Sequence, residues 1–467
     1  MRRATHAFAL ASALCLALPG AALAQEAIVT DEDALFGEEA PDTLTTVKEG
    51  QKDAAVSTFL KTESVRIGGS FSGSAGADWT MLDPWNAPAL DDHGLDAVAA
   101  GSLFFDARPS EDFRVYGKAK TSYPFSDTAG SGSSAVAVPN IQVFELFADW
   151  SYKDSLFLRF GKHTVKWGVG YFFSPADVIN LGAIDPLDPT AQREGPVSLR
   201  VHYPVPDSQS NLWAYAIMPQ GDDPKPEDIA AAAKAEFLVA KSWEIGLGGY
   251  YKYEHPTRAV LTASGSIWKF NVFGEAVGAW GSDKRFVTDV GATLPGFYSS
   301  EERKDELFLS GTVGASYTNS DDHWSVAAQY LYDGEGYPDA ERESLIDDAR
   351  ANETAIKAAL ALLGLPASTY SNLLKGLIYD SGRHYAALSA SKSFLDEDLS
   401  LGALVWANLS DLSGWARPYV SYKLFDKTSL ELSGTFVFGS SDSEYVVLHD
   451  GAALTLGLKA SLGSGSF

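Results

Sequence analysis

The chain has 467 residues and one cysteine, and its 36 Lys and Arg against 61 Asp and Glu give a formal net charge of −25. This charge argues against nucleic acid as a partner, because neutralising a phosphate backbone needs an excess of Lys and Arg. A single cysteine excludes a disulfide framework and a zinc site built from cysteines. Length alone would predict roughly three domains, but the pattern along the chain favours one closed sheet.

Residues 1–24 have the three parts of a secretory signal peptide. Arg2 and Arg3 form a basic start, an apolar run covers 8–18, and Ala22-Leu23-Ala24 is a small-x-small cleavage site. The apolar run is too short to cross a bilayer as a helix, and no later run reaches the roughly 18 apolar residues that a membrane helix needs. We therefore expect export to the periplasm or, as a barrel, to the outer membrane of a Gram-negative cell.

Residues 25–63 are acidic and weakly patterned, with Leu35-Phe36 between two acidic clusters. We interpret this segment as a disordered periplasmic leader, because it has too little apolar surface to fold alone. The alternative is a plug or a docking peptide that uses Leu35-Phe36 as its apolar anchor. A barrel domain is then expected to cover 64–467.

From residue 64 onward, segments of about ten residues alternate apolar with polar or small side chains, and turn residues separate them. Each segment therefore has one apolar face and one face that water can wet. In 142–152, one parity contains Phe144, Leu146 and Trp150, whereas the other contains Glu145 and Asp149. We count about eighteen strands, with about sixteen as the alternative; the segments are 64–80, 96–108, 112–124, 140–153, 155–166, 196–205, 210–218, 231–241, 243–254, 257–268, 269–281, 306–318, 323–333, 383–394, 398–409, 415–425, 428–438 and 451–462.

The connections between these segments alternate in length, from short turns such as 426–427 to long loops such as 167–195 and 334–382. This asymmetry is typical of bacterial outer-membrane barrels, and an even strand number places both termini on the short-turn, periplasmic side. A soluble β-sandwich also alternates, but the aromatic ends of many apolar faces favour the two girdles of a membrane barrel. The sequence thus predicts an all-β protein, a transmembrane antiparallel β-barrel. The terminal Phe467 would present the last strand to the barrel assembly machinery.

One connection contains a helical pattern. In 338–380, apolar residues such as Leu345, Ala349 and Ile356 recur at helical spacing, and Gly364 and Pro366 interrupt the run. We predict a helical insert in one external loop. Its apolar face either packs on neighbouring loops at the barrel mouth, which we favour, or serves as a lid or a surface for a lipophilic ligand.

Charged side chains cannot cheaply face acyl chains, so the non-apolar parity is assigned to the barrel interior. The loop 167–195 carries acidic residues and is stiffened by Pro175, Pro186 and Pro189. Our hypothesis is that this loop folds into the lumen and sets its acids against a basic wall, which would form a constriction; the alternative is a surface loop. The predicted pore-lining and constriction residues are Arg114, Lys118, Lys120, Glu145, Asp149, Arg159 and Arg200 on the wall and Asp177, Asp185 and Asp188 in the loop.

Catalytic motifs are missing from the sequence. It contains no Gly-x-Ser-x-Gly, no His-Glu-x-x-His and no phosphate-binding glycine loop. The histidines that are candidates for the barrel wall are His163, His202 and His384, and none has an obvious catalytic partner. We therefore predict no enzyme activity, no metal and no cofactor.

The stretch Arg159–Gly168, with Gly161-Lys162 and Trp167-Gly168, followed by Asp177-Val178-Ile179-Asn180, resembles a segment of Gram-negative outer-membrane barrels. These are the alginate-export-like porins and a related large family of unknown function. The resemblance covers about 25 residues and implies outer-membrane transport, of organic or lipophilic compounds among others. It also implies that Lys162, Trp167 and Asn180 shape the inner loop.

The function predicted from the sequence is a channel for passive, porin-like diffusion of small solutes. Two alternatives stay open, a gated conduit for lipophilic compounds and a structural or adhesive barrel that conducts nothing. The expected partners are outer-membrane lipid, lipopolysaccharide and small solutes, and the sequence leaves the oligomeric state open.

Overall fold

The computed structural model describes residues 58–61, 64–84, 86, 89–125, 140–221, 224–240, 242–291, 298–366 and 368–466. The predicted signal peptide, most of the predicted leader and Phe467 lie outside these residues. Within them, an antiparallel sheet closes on itself into an 18-stranded barrel, which confirms the predicted fold class and strand number.

The barrel consists of β2–β12 and β15–β21, and β1, β13 and β14 lie outside its wall. The strands are β1 Thr58–Lys61, β2 Val65–Met81, β3 Asp92–Ser110, β4 Phe113–Pro124, β5 Asn140–Tyr152, β6 Leu156–Lys162, β7 Val197–Pro204, β8 Asn211–Ile217, β9 Ala230–Val239, β10 Trp243–Tyr251, β11 Thr257–Ile267, β12 Phe270–Trp280, β13 Arg285–Val290, β14 Tyr298–Glu302, β15 Leu307–Asn319, β16 Trp324–Tyr332, β17 His384–Phe394, β18 Leu399–Asn408, β19 Ser413–Phe425, β20 Thr428–Phe438 and β21 Leu454–Ser466. The helices are α1 Asp339–Ala351, α2 Glu353–Leu362, α3 Ser368–Ile378 and α4 Glu444–Leu448.

The first and last wall strands close the barrel. β2 pairs with β21 from Ser70↔Ser466 to Met81↔Leu454, and with β3 along its other edge. Closure leaves no free sheet edge in the wall, so every wall strand has hydrogen-bonded neighbours on both sides. The short β1 pairs with the start of β2, so the segment predicted as a disordered leader contains a strand at its end.

The two faces of the wall differ as the alternation predicts. Leu103, Trp150 and Leu309 are exposed on the outer face, whereas Arg114, Glu275 and other polar residues are buried inside. Such an apolar outer surface is suited to lipid, as in membrane barrels.

One strand departs from the predicted parity. Glu145 pairs with Lys118 and Val143 with Ala119, so Phe144 is an extra residue in β5. This β-bulge shifts the register by one residue. Phe144 is consequently buried inside the barrel and Val143 is exposed outside, the reverse of the expected assignment.

The helical insert forms as three helices, α1–α3. Its apolar residues Leu345, Ile356 and Leu360 pack on Phe286 and Val290 of the β13–β14 hairpin, which stands in the loop before β15. The packing explains why the apolar helix face is stable in water: a neighbouring loop covers it. Among the described residues, no helix is long and apolar enough to span a bilayer.

Candidate functional site: a loop inside the barrel

The connection 163–196, which we call the inner loop, leaves the wall at the end of β6. The predicted strand 155–166 ends at Lys162, because Gly161 takes a φ of 132° that turns the chain away from the sheet. The inner loop then contacts inward side chains on β8, β9, β12, β16 and β18, strands far apart around the barrel. Only a segment inside the barrel can reach all of these strands.

Glu275 on β12 is the first anchor of the inner loop. Its carboxylate accepts hydrogen bonds from the backbone N–H of Val169 (2.5 Å), Gly170 (2.6 Å) and Ala176 (2.9 Å), and from the Ser174 hydroxyl (2.9 Å). A buried carboxylate needs several donors to offset its desolvation. The loop backbone supplies them, so the loop conformation and the buried charge depend on each other.

Gln329 on β16 is the second anchor. Its Oε1 accepts from the backbone N–H of Phe172 (2.6 Å) and, at longer range, from those of Tyr171 and Phe173 (3.1 and 3.3 Å). Its amide nitrogen donates to Phe173 O (2.6 Å) and to Thr312 Oγ1 (2.7 Å). One neutral side chain thus satisfies four backbone groups at the far end of the loop.

Aromatic packing fixes the same end of the loop against the wall. Phe173 lies 4.4 Å from the Trp406 ring and 6.5 Å from the Tyr385 ring, measured between centroids. Phe172 and Phe173 are both buried, together with Ala387 and Leu404. Burial of two phenylalanine side chains contributes roughly 2 kcal/mol each by area, so this contact adds to the two polar anchors.

Trp167, expected to shape the inner loop, is 1% exposed and packs on Tyr215, Ala230 and Ala232 of β8 and β9. Its backbone carbonyl accepts a hydrogen bond of 2.8 Å from Lys234 Nζ. The adjacent Gly168 is required by close packing, because a Cβ there would collide with the Ser174 hydroxyl and approach Glu275. The Trp-Gly pair therefore marks where the loop first docks on the wall.

Asn180 joins the two legs of the inner loop. Its side-chain oxygen accepts from Val165 N (3.1 Å), and its amide nitrogen donates to Val165 O (2.5 Å) and to Asp177. Asp177 also forms an ion pair with Arg193. The expected contact of Asp177 with a basic wall is thus replaced by one within the loop, which braces the loop internally.

Asp185 and Asp188 lie in a turn of the inner loop and accept hydrogen bonds from Leu187 N (2.9 Å) and from the Thr190 hydroxyl (3.0 Å). Both hydrogen bonds lie within the loop itself. Lys162 pairs with Glu194 at the end of the loop. Glu194 thus forms an ion pair of the kind expected between the loop acids and the wall cations.

The arginines of the predicted basic wall form a buried network with wall acids. Arg114 Nε lies 2.8 Å from Asp106 Oδ1, and its Nη1 lies 3.8 Å from Asp149 Oδ2. Arg159 Nε lies 2.6 Å from Asp149 Oδ1. These charges lie on β3–β6 and largely neutralise one another.

Lys118 and Lys120 have a different environment. Both ammonium groups lie near the ring of Phe144, Lys120 at 3.6 Å and Lys118 at 5.7 Å from its centroid. Lys118 also donates to Gln192 Oε1 of the inner loop (3.4 Å). The bulge that turns Phe144 inward thus provides an apolar support for two half-buried cations beside the loop.

Glu145 and Arg200 lie on either side of this region. Glu145 is buried, and its Oε1 is 3.5 Å from Thr164 N at the start of the inner loop. Arg200 is buried opposite Arg159 in the β6–β7 register, 5.3 Å from the Trp213 ring. The three histidines considered above have structural contacts: His163 with Gly161 O (3.1 Å), His202 with Asn211 (2.8 Å) and His384 with Tyr330 (2.6 Å).

The wall beside the site has a lumen face of small polar residues. We call β20, β21, β2 and β3 the open arc, because the inner-loop contacts described above lie on other strands. Ser70 and Ser102 share a hydrogen bond of 2.7 Å there, and Arg417 Nη2 lies 2.7 Å from Glu431 Oε1 at its edge. The lumen face of the arc is formed mainly by Ser70, Ser72, Ser74, Ser102, Ser433, Thr455, Gly457 and Ser461, together with the charged residues Asp78, Asp96, Glu431 and Lys459.

The sequence analysis did not identify Glu275 and Gln329 as the residues that anchor the inner loop. Glu275 is the one charged residue of β12, and Gln329 the one amide side chain of β16, in strands otherwise built from small, apolar and aromatic residues. An isolated polar group of this kind on a wall strand is a usable signal, since it needs a partner inside the barrel.

The fold resembles solved outer-membrane porins. OccAB1 of Acinetobacter baumannii aligns with a TM-score of 0.50 and 11% identity over 88% of this chain and 99% of that chain. The chain has a porin-type fold. OccK8 (OprE) of Pseudomonas aeruginosa gives a TM-score of 0.47 at 10% identity over 86% of this chain and 98% of that one. A mutant of the Rhodopseudomonas blastica porin gives 0.40 at 10% identity over 86% of this chain and 100% of that one.

Neither the protein-family models nor the curated proteins contain a match to this chain. At these identities, likeness to solved structures extends to the fold. The narrower resemblance to alginate-export-like barrels stays a resemblance of one segment.

Proposed function

We propose that this protein is an outer-membrane channel for the passive diffusion of small hydrophilic solutes. The observation that carries the proposal is the inner loop, which crosses the lumen and is anchored by Glu275 and Gln329 on strands far from its origin. A loop fixed inside a wide barrel narrows the lumen without sealing it when one side of the wall is left uncovered.

The solute path that we infer runs between the inner loop and the open arc. Hydroxyl groups such as those of Ser70 and Ser102 can exchange hydrogen bonds with water and with polar solutes. The lumen-facing aromatics Phe172, Phe173 and Trp406 are packed together at the end of the loop. This arrangement favours a hydrophilic path over the alternative of a conduit for lipophilic compounds.

The charge preference that we propose is for anions, set mainly by Lys118 and Lys120. Arg114 and Arg159 are engaged with Asp106 and Asp149, so their fields are largely cancelled at the path. The two lysines project from β4 beside the loop, where a positive potential raises the local concentration of anions. The other predicted pore residues would influence the solute path indirectly, by shaping the wall and the inner loop; these are Arg200, Glu145, Asp177, Asp185 and Asp188.

In this proposal the exposed apolar band of the wall contacts outer-membrane lipid and lipopolysaccharide. The last strand engages the barrel assembly machinery during insertion. Both termini face the periplasm. The protein would act without a cofactor and without catalysis. The N-terminal signal peptide would direct export.

Swelling of liposomes that contain the refolded protein tests the proposal. Uncharged polyols of increasing size should enter, and the rate should fall steeply once the solute exceeds the gap beside the inner loop. Liposomes that stay impermeable to the smallest polyol, although the barrel inside them is folded, would contradict the proposal and favour a structural or adhesive barrel.

A further inference from the structure

A group of aromatic side chains lies on the lumen wall at the edge of the open arc. Trp406 of β18 and Trp415 of β19 stand directly opposite each other, with ring planes 2° apart and centroids separated by 6.3 Å. Tyr419 follows two inward positions further along β19. We call these three residues the aromatic strip. All three are half-buried, so part of each side chain remains accessible from the lumen.

Gly402 determines how the Tyr419 ring is presented. It stands directly opposite Tyr419 on β18, and a Cβ at Gly402 would lie 2.5 Å from Cζ and from Oη of that tyrosine. The ring therefore lies across the neighbouring strand, in the space that another side chain would otherwise fill. An aromatic ring that lies along the wall offers its face, rather than its edge, to the lumen.

The inner loop holds the other end of the strip in place. The Trp406 ring lies 4.4 Å from that of Phe173 and 6.2 Å from that of Phe172, measured between centroids, and both phenylalanines are buried. Trp415 packs against the same cluster. The strip is thus preorganised, so a solute that binds to it does not have to order the rings first.

Polar side chains accompany the strip on the side of the open arc. Arg417 occupies the inward position between Trp415 and Tyr419 on β19. Its Nη2 lies 2.7 Å from Glu431 Oε1 and 3.2 Å from Ser433 Oγ, both on β20. A donor, an acceptor and a hydroxyl that can act as either therefore stand beside the rings. The ion pair has no net charge, so it favours hydrogen bonding over attraction of a charged solute.

We propose that the aromatic strip and the Arg417–Glu431 pair form a binding subsite for a neutral pyranose sugar. A pyranose ring has a face of weakly positive C–H groups, which the negative face of an aromatic ring attracts. Its rim of hydroxyl groups can donate to a carboxylate and accept from a guanidinium. The proposal rests on the channel function proposed above only for its consequence for solute flow, since the binding itself does not require conduction.

Three other classes of solute match this surface less well. A lipophilic solute would contact the rings but would remove water from Arg417 and Glu431 without replacing its hydrogen bonds. An anion would meet Glu431 as well as Arg417, whereas Lys118 and Lys120 on β4 offer it a positive potential. An open-chain polyol has the hydroxyl groups of a sugar but no rigid C–H face to place on an aromatic ring.

Saturation-transfer NMR of the folded barrel in detergent tests the subsite without any requirement for conduction. The probes are D-glucose and D-sorbitol, which have similar size and hydroxyl content but differ in the closed ring. Irradiation of the protein's aromatic protons should saturate the C–H protons of glucose, and titration should give about tenfold higher affinity for glucose than for sorbitol. Equal affinity for the two solutes, or no transfer to glucose, overturns the proposal.

Two variants test the role of the ring faces. Tyr419→Ala removes one face and should lower the affinity for glucose roughly two- to tenfold. Gly402→Ala keeps Tyr419 but places a Cβ against its ring, so it should lower the affinity by a similar factor. Trp268→Ala is the control, because Trp268 is 95% exposed in the turn between β11 and β12. An equal loss in the control, or unchanged affinity in both test variants, overturns the proposal.

A third variant tests the polar half of the subsite. The double substitution Arg417→Gln, Glu431→Gln retains the net charge and removes both ionised groups. It should lower the affinity for glucose about fivefold, because charge-assisted hydrogen bonds become neutral ones. Benzyl alcohol serves as an apolar aromatic probe. An unchanged affinity for glucose in the double variant, or tighter binding of benzyl alcohol than of glucose by the parent, overturns the proposal in favour of an apolar site.

The consequence for flow is read in planar bilayers with the same proteins. Glucose should reduce the ion current through the open parent channel, and Tyr419→Ala should need roughly two- to tenfold more glucose for the same reduction. Open channels that bind glucose in the NMR titration but are not blocked by it would overturn the placement of the subsite on the solute path. Channels that never open, although glucose binds normally, would instead count against the channel function.

Discussion

The charged side chains inside the barrel have two different roles. Arg114 and Arg159 are 4% and 3% exposed and are paired with Asp106 and Asp149, so they hold neighbouring strands together. Lys118 and Lys120 are only half-buried and stand beside the inner loop. Because leaving a fully buried charge without its partner costs more than leaving a half-buried one, the two groups should respond differently to substitution.

Replacement of Arg114 by Ala should destabilise the barrel by about 3 kcal/mol, because Asp106 loses its closest buried partner. Lys118→Ala on the same strand should cost less than about 1 kcal/mol. Urea unfolding in lipid vesicles measures both, and equal losses would contradict the division of roles.

Reversal of both lysines in Lys118→Glu, Lys120→Glu should turn an anion preference into a cation preference. The two substitutions together make the charge beside the inner loop more negative by four units and leave the buried arginine network intact. The control is Lys153→Glu, an exposed lysine at the short turn after β5. Reversal potentials under a salt gradient report the preference, and an unchanged sign in the double variant would remove these lysines from the selectivity account.

For the individual charged residues, the sequence predicted which side of the wall they face but not which residues they pair with. The alternation of inward and outward side chains along each strand correctly assigned Arg114, Lys118 and Asp149 to the barrel interior. Phe144 was assigned to the wrong face because a one-residue bulge is invisible in a single strand and depends on how β4 pairs with β5. The partner of Asp177 was also unpredictable, because Arg193 approaches it only after the loop has folded.

Among the elements, the inner loop is the one that gives the barrel its internal shape. Two wall side chains, Glu275 and Gln329, each bind four backbone or hydroxyl groups of the loop, eight in all. The loop is therefore bound to the wall as a ligand would be, through preorganised hydrogen bonds.

Glu275→Ala should weaken the docking of the inner loop by about 3 kcal/mol, because three backbone N–H groups and one hydroxyl lose a charged acceptor. We expect the fraction of time spent in a wider state to rise on the order of a hundredfold, seen as larger conductance steps. Glu306→Ala, an exposed glutamate before β15, is the control. Unchanged step sizes in Glu275→Ala would show that the loop does not set the pore.

The elements that the sequence predicted best are those with local signals. Eighteen alternating segments and a helical pattern at 338–380 all appear as strands and helices. β1 and the β13–β14 hairpin were missed because they are short and lie within segments interpreted as a leader and a loop. The anchors of the inner loop are more than a hundred residues away in sequence from some of their partners; Gly170 and Glu275, for example, are 105 residues apart. No local sequence pattern can predict such a contact.

For the whole molecule, closure of the barrel is independent of the insert at its mouth. Tyr332 of β16 pairs with His384 of β17, so the ends of the helical insert emerge side by side. Replacement of 338–380 by a short turn should leave a folded, heat-modifiable barrel, because every wall pairing is retained.

The same deletion should uncover Phe286 and Val290 of the β13–β14 hairpin, which the helices now bury. We expect faster proteolysis at this hairpin with no change in the wall strands. Electrophoretic mobility with and without heating measures the first effect, and limited proteolysis with mass spectrometry measures the second. Loss of the folded barrel would mean that the insert is required for closure.

The central claim is that the barrel conducts through a gap beside an anchored loop. Single-channel conductance of the refolded protein in a planar bilayer, under a salt gradient, tests it most directly. The account predicts steady open channels with a reversal potential of the sign for anion preference, carried by Lys118 and Lys120. A folded barrel that inserts and stays silent, in the parent and in Glu275→Ala alike, would contradict it.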